Sequence, residues 1–456
     1  MRSLLSDTLR SKIPWMAPAV LAVMGWGAVA SGSFQYDDFA NILQDPATHH
    51  WNELTHRLAT GIRPLTRLSY ALSDELFGEW AGGWLLINLL LHLLTALGVA
   101  KLVHSRTLNA IAAALASTCF ALQPANAAVV AYVSGRSTGL AAALLVAALL
   151  VHERSVRAKV RNVAIWWATL LFLCACACRE TALVFPALVL LWERTRSVSS
   201  DWKIAFQRAA PYAIGSIAVA AVMLLMSPRY RELLAFSVSL RSPIEALFHN
   251  LVALPASFVL WFTPWALSVE HEMHFSAMAL LFGTTAIIAM VAIAIWQHAR
   301  RPFITLGLLW PLLAMLVSHS FIAKTDPVTE GALYLAWIGP SIALGEWFAR
   351  RPRLAEHICV KGLAVALGAL AIALCEWRVS VWSNPVALWE EATLRAPHSA
   401  RAWTNLGVAH LAKGNDDSAR SALRTALRLD PNDMQARFNL DIVAALAASA
   451  RSSHQL

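Results

Sequence analysis

The chain has 456 residues, 58% of them hydrophobic and 14% charged, with a mean hydropathy of +0.54. Soluble domains carry about 25% charged residues, so this balance excludes an ordinary soluble enzyme and predicts an all-α, polytopic membrane protein. The net charge of +9 would suggest a nucleic-acid partner in a soluble chain, but the Lys and Arg residues cluster in short loops between apolar segments, which argues against nucleic acid and for membrane topology.

Residues 1–12 carry Arg2, Arg10 and Lys12 and are expected to be cytoplasmic. An apolar segment at 13–30 lacks a small-residue cleavage site where one would be expected and reads as a retained signal anchor. A polar outer loop at about 31–80 follows, with the adjacent acids Asp37 and Asp38 and, further on, Arg63 and Arg67. Further spans are expected at 82–103 and 108–122, then ending near 151, 178 and 192, and at 209–226, 276–296, 303–322, 332–348 and 362–377. The six cysteines (Cys119, Cys174, Cys176, Cys178, Cys359 and Cys375) lie in or beside apolar segments without a metal-ligand spacing, so a buried structural role is expected.

Residues 227–275 form a second outer loop, the fourth on that side. Within it, 244–267 is long enough to be counted as a span, but the strongly basic loops 297–301 and 349–353 are both cytoplasmic only if it does not cross. Pro243, Pro255 and Pro264 also point to an irregular, re-entrant or interfacial segment. The result is about eleven spans, with the N-terminus inside and the C-terminus outside. Five polar elements then share one non-cytoplasmic face: the Asp37/Asp38 loop, 123–136, the Arg179-Glu180 hinge, 227–275 and 324–330. A transport pathway would place its ionisable groups nearer mid-depth.

The tail is a different object. Identical or similar residues recur at a spacing of 34: Trp389 and Leu423, Ala392 and Ala426, Pro397 and Pro431, Asn405 and Asn439, Leu406 and Leu440. This is the tetratricopeptide period, a helix-turn-helix unit. One full repeat is expected over 400–433, with half repeats on either side, in a region spanning 384–446; 447–456 is a terminal tail. So few repeats bury little core, so the region is expected to lean on the membrane domain (1–380) or on a partner.

Each motif has a plain structural alternative. Asp37 and Asp38 could act as a general base for a hydroxyl and as an electrostatic or metal-binding partner, or could cap and solvate a loop. Arg63 and Arg136 could read a phosphate; the alternative for Arg63 is snorkelling toward lipid. Asn88 and His92 share a helix face and could bond between helices or line a cavity. Arg179 and Glu180, at a junction between spans, either pair with each other or face a cavity. Glu330 and Tyr334 flank a late span. His271, Glu272 and His274 lack the helical spacing of a metal motif, and no metal ligands are assigned.

Taken in order, Tyr36-Asp37-Asp38, Arg63-Pro64-Leu65, Asn88 to His92, Gly135-Arg136, Arg179-Glu180 and Glu330 to Leu335, closed by tetratricopeptide repeats, resemble the transmembrane-and-tetratricopeptide O-mannosyltransferases of the GT-C superfamily, relatives of the protein O-mannosyltransferases. The resemblance implies an enzyme that transfers a sugar, with inversion, from a polyprenyl-phosphate donor to a protein hydroxyl or an envelope glycan or lipid. It implies a bacterial inner-membrane location with site and repeats in the periplasm. It carries the catalytic acid to Asp37 or Asp38, and donor-phosphate binding to Arg179 first, then Arg136 and Arg63. Glu180, Glu330, His92 and Tyr334 fall on further motif positions. No cofactor is fixed by it, and a divalent cation (Mg or Mn) is compatible with it. The chain departs from the family at Arg179, where Lys is usual, at Gly331 and Ala332, where Arg and Tyr are usual, at Thr138, where an acid is usual, and at His410, where the repeat has an aromatic residue. Two other functional classes fit the composition: a transporter or flippase of a lipid-linked substrate, and a non-catalytic envelope assembly factor that recruits a protein partner through its repeats.

Overall fold

The computed structural model describes residues 2–158, 161–196 and 201–453, and within them the chain is helical throughout, with no β-strand. Lys159, in one of the expected basic loops, and the last three residues of the 447–456 tail lie outside the described residues.

Six helices among the described residues are long and apolar enough to cross a membrane, spanning Pro14–Ser31, Ala81–Thr107, Val133–Arg157, Trp202–Met226, Ala277–Gln297 and Ile358–Trp382. A seventh results if Ala110–Ala121 and Pro124–Val130, bent by 56° at their junction, count as one. This inventory is compatible with a membrane protein. Val163–Cys178, Pro243–Val259 and Pro302–Leu316 are apolar but shorter. Local chemistry accounts for several breaks. Pro124 starts a new turn that cannot donate to the helix before it. The expected span 303–322 stops as a helix at Leu316. Beyond it, His319 is committed to a tertiary bond with the Pro327 carbonyl, 2.9 Å away, and 319–328 is irregular. The expected segment 244–267 is a helix only over Pro243–Val259, opened by a Ser242/Glu245 capping box, and gives way to loop before Pro264.

The first outer loop is not open coil. It folds into short helices at Pro46–His49, Trp51–Thr60 and Pro64–Phe77. Asp45 caps the first through its bond to the Ala47 amide and also receives Arg67 at 2.8 Å. Prolines at the first turn of two of these helices fix where they start.

Beyond Trp382 the chain turns at Asn384, whose side chain caps Pro385–Arg395, and continues as the hairpin Ala400–Ala412 and Asp416–Leu429, then Met434–Ser453. Gly414, at φ +74°, makes the hairpin turn in the left-handed region. Gly407 lets the two helices approach closely: a Cβ there would lie 2.6 Å from the Leu423 Cγ. The tail packs on the apolar helical bundle. Trp389 meets Tyr36 edge-on at 5.3 Å between ring centroids, and Glu391 pairs with the fully buried Arg378 at 2.8 Å.

Candidate functional site

A cavity of about 350 Å³ opens between the helix ends, and all five polar elements expected on one face contribute to its wall. Asp37 comes from the first loop, Ser134 from 123–136, Arg179 from the hinge, Ser268 from the second outer loop, and Asp326 and Glu330 from the last element. Arg63 and Arg67 line it as well.

The adjacent acids have divergent surroundings. Asp38 is fully buried. One carboxylate oxygen accepts from the Ser134 amide (2.8 Å) and hydroxyl, the other from the Gln35 amide (3.0 Å). The two bonds from Ser134 tie the first loop to the turn before Gly135, and the Gln35 bond closes the loop on itself, so Asp38 holds the wall together. Burial pushes its carboxyl up to about 7, against the pull of these donors. Asp37 opens into the cavity. Low-polarity surroundings raise its carboxyl above the usual range; Arg401 opposes this and Asp326 adds to it. The Tyr132 hydroxyl is near enough to favour the charged form but makes no well-aligned hydrogen bond. Tyr36, the residue before Asp37, has φ +44°, and Arg63 has φ +54°. Left-handed backbone at non-glycine residues is strained and concentrates at functional sites.

The cations are unequal. Arg63 is spent on Glu180, with Nε 2.9 Å from Oε2 and a second, parallel bond from Nη2 to Oε1. Burial alone would raise Glu180, but this guanidinium and Arg179 bring it down to about 2. Both partners keep 30% of their side-chain surface exposed, and Arg63 lines the cavity. Arg67 is committed to Asp45. Arg179 donates to the Ser137 hydroxyl at 2.7 Å and makes no salt bridge among the described residues. It lines the cavity with donors to spare, and burial and the neighbouring Arg63 lower its affinity for its proton to about 10. Lys324 is nearby and also lowered, to about 7, by burial and by Arg179.

Glu330 is buried at the cavity wall. One oxygen accepts from the Ser268 amide; the other, Oε2, has no partner among the described residues.

The remaining candidates lie behind the wall. Arg136 is fully buried, donating to the Asn88 side chain, the Ser69 and Trp84 carbonyls and the Ser73 hydroxyl. Its guanidinium binds the framework, and it does not line the cavity. His92 bonds the Ala121 carbonyl through Nε2 and the Tyr334 hydroxyl through Nδ1, both at 2.9 Å. A carbonyl only accepts, so Nε2 carries the proton and Nδ1 accepts from Tyr334. Neither residue reaches the cavity, and of the two roles open to Asn88 and His92 the structure displays bonding between helices. Among the described residues no group of three or more His, Cys, Asp or Glu converges as a metal site. Asp326 is held by Arg401 and Glu330 by a backbone amide, so the donor set does not suit a divalent cation.

Arg401, Glu270 and Ser137 were not singled out by the sequence. Arg401 sits in a repeat whose other surface residues are ordinary, and nothing in the chain order signals that it reaches residues 75 and 131 positions away.

A tetratricopeptide repeat family model matches residues 400–433. The match spans the two helices joined at Gly414 and identifies that hairpin as a tetratricopeptide repeat; it does not extend to the apolar helical bundle. No curated protein matches the chain.

Proposed function

We propose that the protein is a membrane glycosyltransferase of the GT-C type, moving a sugar from a polyprenyl-phosphate donor to a hydroxyl on a protein or envelope glycan or lipid. The observation that carries this reading is the cavity lined both by Asp37, an accessible carboxylate, and by Arg179, a guanidinium with no salt-bridge partner among the described residues. The donor's anomeric carbon is already activated by its phosphate. Asp37 takes the proton of the acceptor hydroxyl as that oxygen forms its bond to the anomeric carbon. The bond from that carbon to the phosphate oxygen breaks on the opposite face, and its electron pair leaves with the polyprenyl phosphate. Arg179 stabilises the departing charge, with Arg63 behind it. Attack and departure on opposite faces invert the anomeric centre.

In this reading Val163–Cys178, Phe185–Arg196, Pro302–Leu316 and Glu330–Ala349 join the seven longer or paired helices to make about eleven spans, Pro243–Val259 does not cross, the N-terminus is cytoplasmic, and cavity and repeats face the periplasm of a bacterial inner membrane. The test is release of polyprenyl phosphate by the purified protein from a panel of polyprenyl-phosphate sugars. The expected result is turnover that drops by about 10²-fold or more in Asp37→Asn. The absence of turnover with every donor, or full turnover in that variant, sinks the proposal. The matched repeat also suits an assembly factor; that reading expects Asp37→Asn to leave function intact.

A further inference from the structure

The tail reaches the cavity itself. Arg401, on the first helix of the matched repeat, donates from Nε to Glu270 at 3.0 Å, makes a second bond from Nη2 to the same carboxylate, and pairs with Asp326 at 2.5 Å. Asp326 lines the cavity; Glu270 is buried beside Ser268, which also lines it. One residue earlier in the loop than Asp37, Tyr36 packs on Trp389 of the tail. Other tail residues seal the same seam: Ser399 donates to Glu270 at 2.9 Å, His398 bonds Glu272 at 2.9 Å, and Arg395 donates to the Trp265 carbonyl.

The groups facing Asp37 come from four elements. Its own loop presents Tyr36 and the buried Asp38, the 127–135 segment presents Tyr132, the 319–328 segment presents Asp326, and the repeat presents Arg401. Arg401 is the cation of that set. Without it, no cation of that set would offset the Asp326 carboxylate beside Asp37.

We propose that Arg401 is a positioning residue of the cavity: the tetratricopeptide repeat forms part of the site wall, and through Arg401 it fixes Asp326 and Glu270 and supplies a positive charge that favours the ionised form of Asp37. The repeat thus completes the site instead of serving as a detached recruiting arm. This rests on the reading of Asp37 as the base, but its test does not need a donor sugar.

The experiment is the carboxyl titration of Asp37 in the full-length purified protein, taken as the infrared difference from Asp37→Asn. Arg401→Gln is expected to move the Asp37 midpoint up by about one pH unit, a tenfold tighter hold on the proton. Arg401→Lys, which keeps the charge and loses the fork, is expected to stay near the wild-type midpoint. Where turnover is measurable, the acid limb of kcat/KM moves up with the midpoint in Arg401→Gln and returns in Arg401→Lys, which a purely structural role would not produce. An unchanged midpoint in folded Arg401→Gln overturns the proposal. If Arg401→Gln does not fold, Asp326→Asn decides: a lower midpoint supports the proposal, because a repelling carboxylate is gone and Arg401 is less neutralised, and an unchanged one overturns it. A shifted midpoint without turnover on any donor would leave this inference standing while removing the transferase reading.

Discussion

At the scale of single residues, neighbours in sequence have opposite environments. Asp38 is enclosed and triply bonded, while Asp37 opens to the cavity. The folded state raises the Asp38 carboxyl from 3.8 to about 7, so between those values the native protein binds more protons than the unfolded chain. Stability from this group is therefore complete below pH 3.8 and is lost as pH rises through about 7. Thermal unfolding of the wild type between pH 4 and 8 should show a decline that flattens in Asp38→Asn, which cannot ionise. For Arg179, loss of a charge-assisted contact worth about 1.5–3 kcal/mol predicts that Arg179→Gln lowers kcat/KM for a polyprenyl-phosphate sugar by about 10- to 100-fold, read from donor titrations. Arg136→Gln, in contrast, should act on folding, since four of its donors serve the framework.

At the scale of elements, the Gly135-Arg136 pair explains itself by packing. A Cβ on residue 135 would lie 2.4 Å from the Ala128 carbonyl oxygen and 2.8 Å from the Val129 Cα, both backbone atoms that cannot swing aside. Gly135→Ala should destabilise the protein by about 1–3 kcal/mol, seen as a lower unfolding midpoint. It should also displace Ser134 from Asp38. The tail is anchored by another unforgiving contact. Arg378 has 0% of its side chain exposed and meets Glu391 through one guanidinium nitrogen. Breaking a buried pair from one side costs about 3–5 kcal/mol. Glu391→Gln should loosen the helix Pro385–Arg395, and limited proteolysis should then cut near residues 383–399 faster than in the wild type.

At the scale of the whole molecule, polar groups gather at both ends of the helix bundle, with different outcomes. At the end away from the cavity, Glu153, Glu193 and Glu346 are buried but each is paired, with Arg157 and Arg196, with Arg208 and His152, and with Arg106 and Arg350. These acids neutralise the basic loops and pin the helices. At the cavity end, among the described residues, Arg179 has no salt-bridge partner and Glu330 Oε2 has no hydrogen-bond partner.

Much of this was legible in the chain. Apolar runs of membrane length gave the long helices, because a helix must bury or cover its apolar face. The recurrence at 34 residues located the repeat, because each unit packs on the next through the same positions. Spacing could also say that five polar elements belong together. It could not say which of two adjacent acids faces the opening, since that depends on where Ser134 and Gln35 place their amides. It could not separate Arg136 from Arg179, because both are arginines beside apolar helices and only the packing shows that one is enclosed. Nor could it bring Arg401 to Asp326 and Glu270, since contacts across 75 and 131 residues follow from how the tail folds back on the bundle. The sequence by itself determined the helices, their apolar lengths and the repeat, which follow from local periodicity. Which charges are spent on the framework and which remain for chemistry was decided by tertiary packing, because the charge and solvation of a side chain depend on neighbours that the chain order does not place.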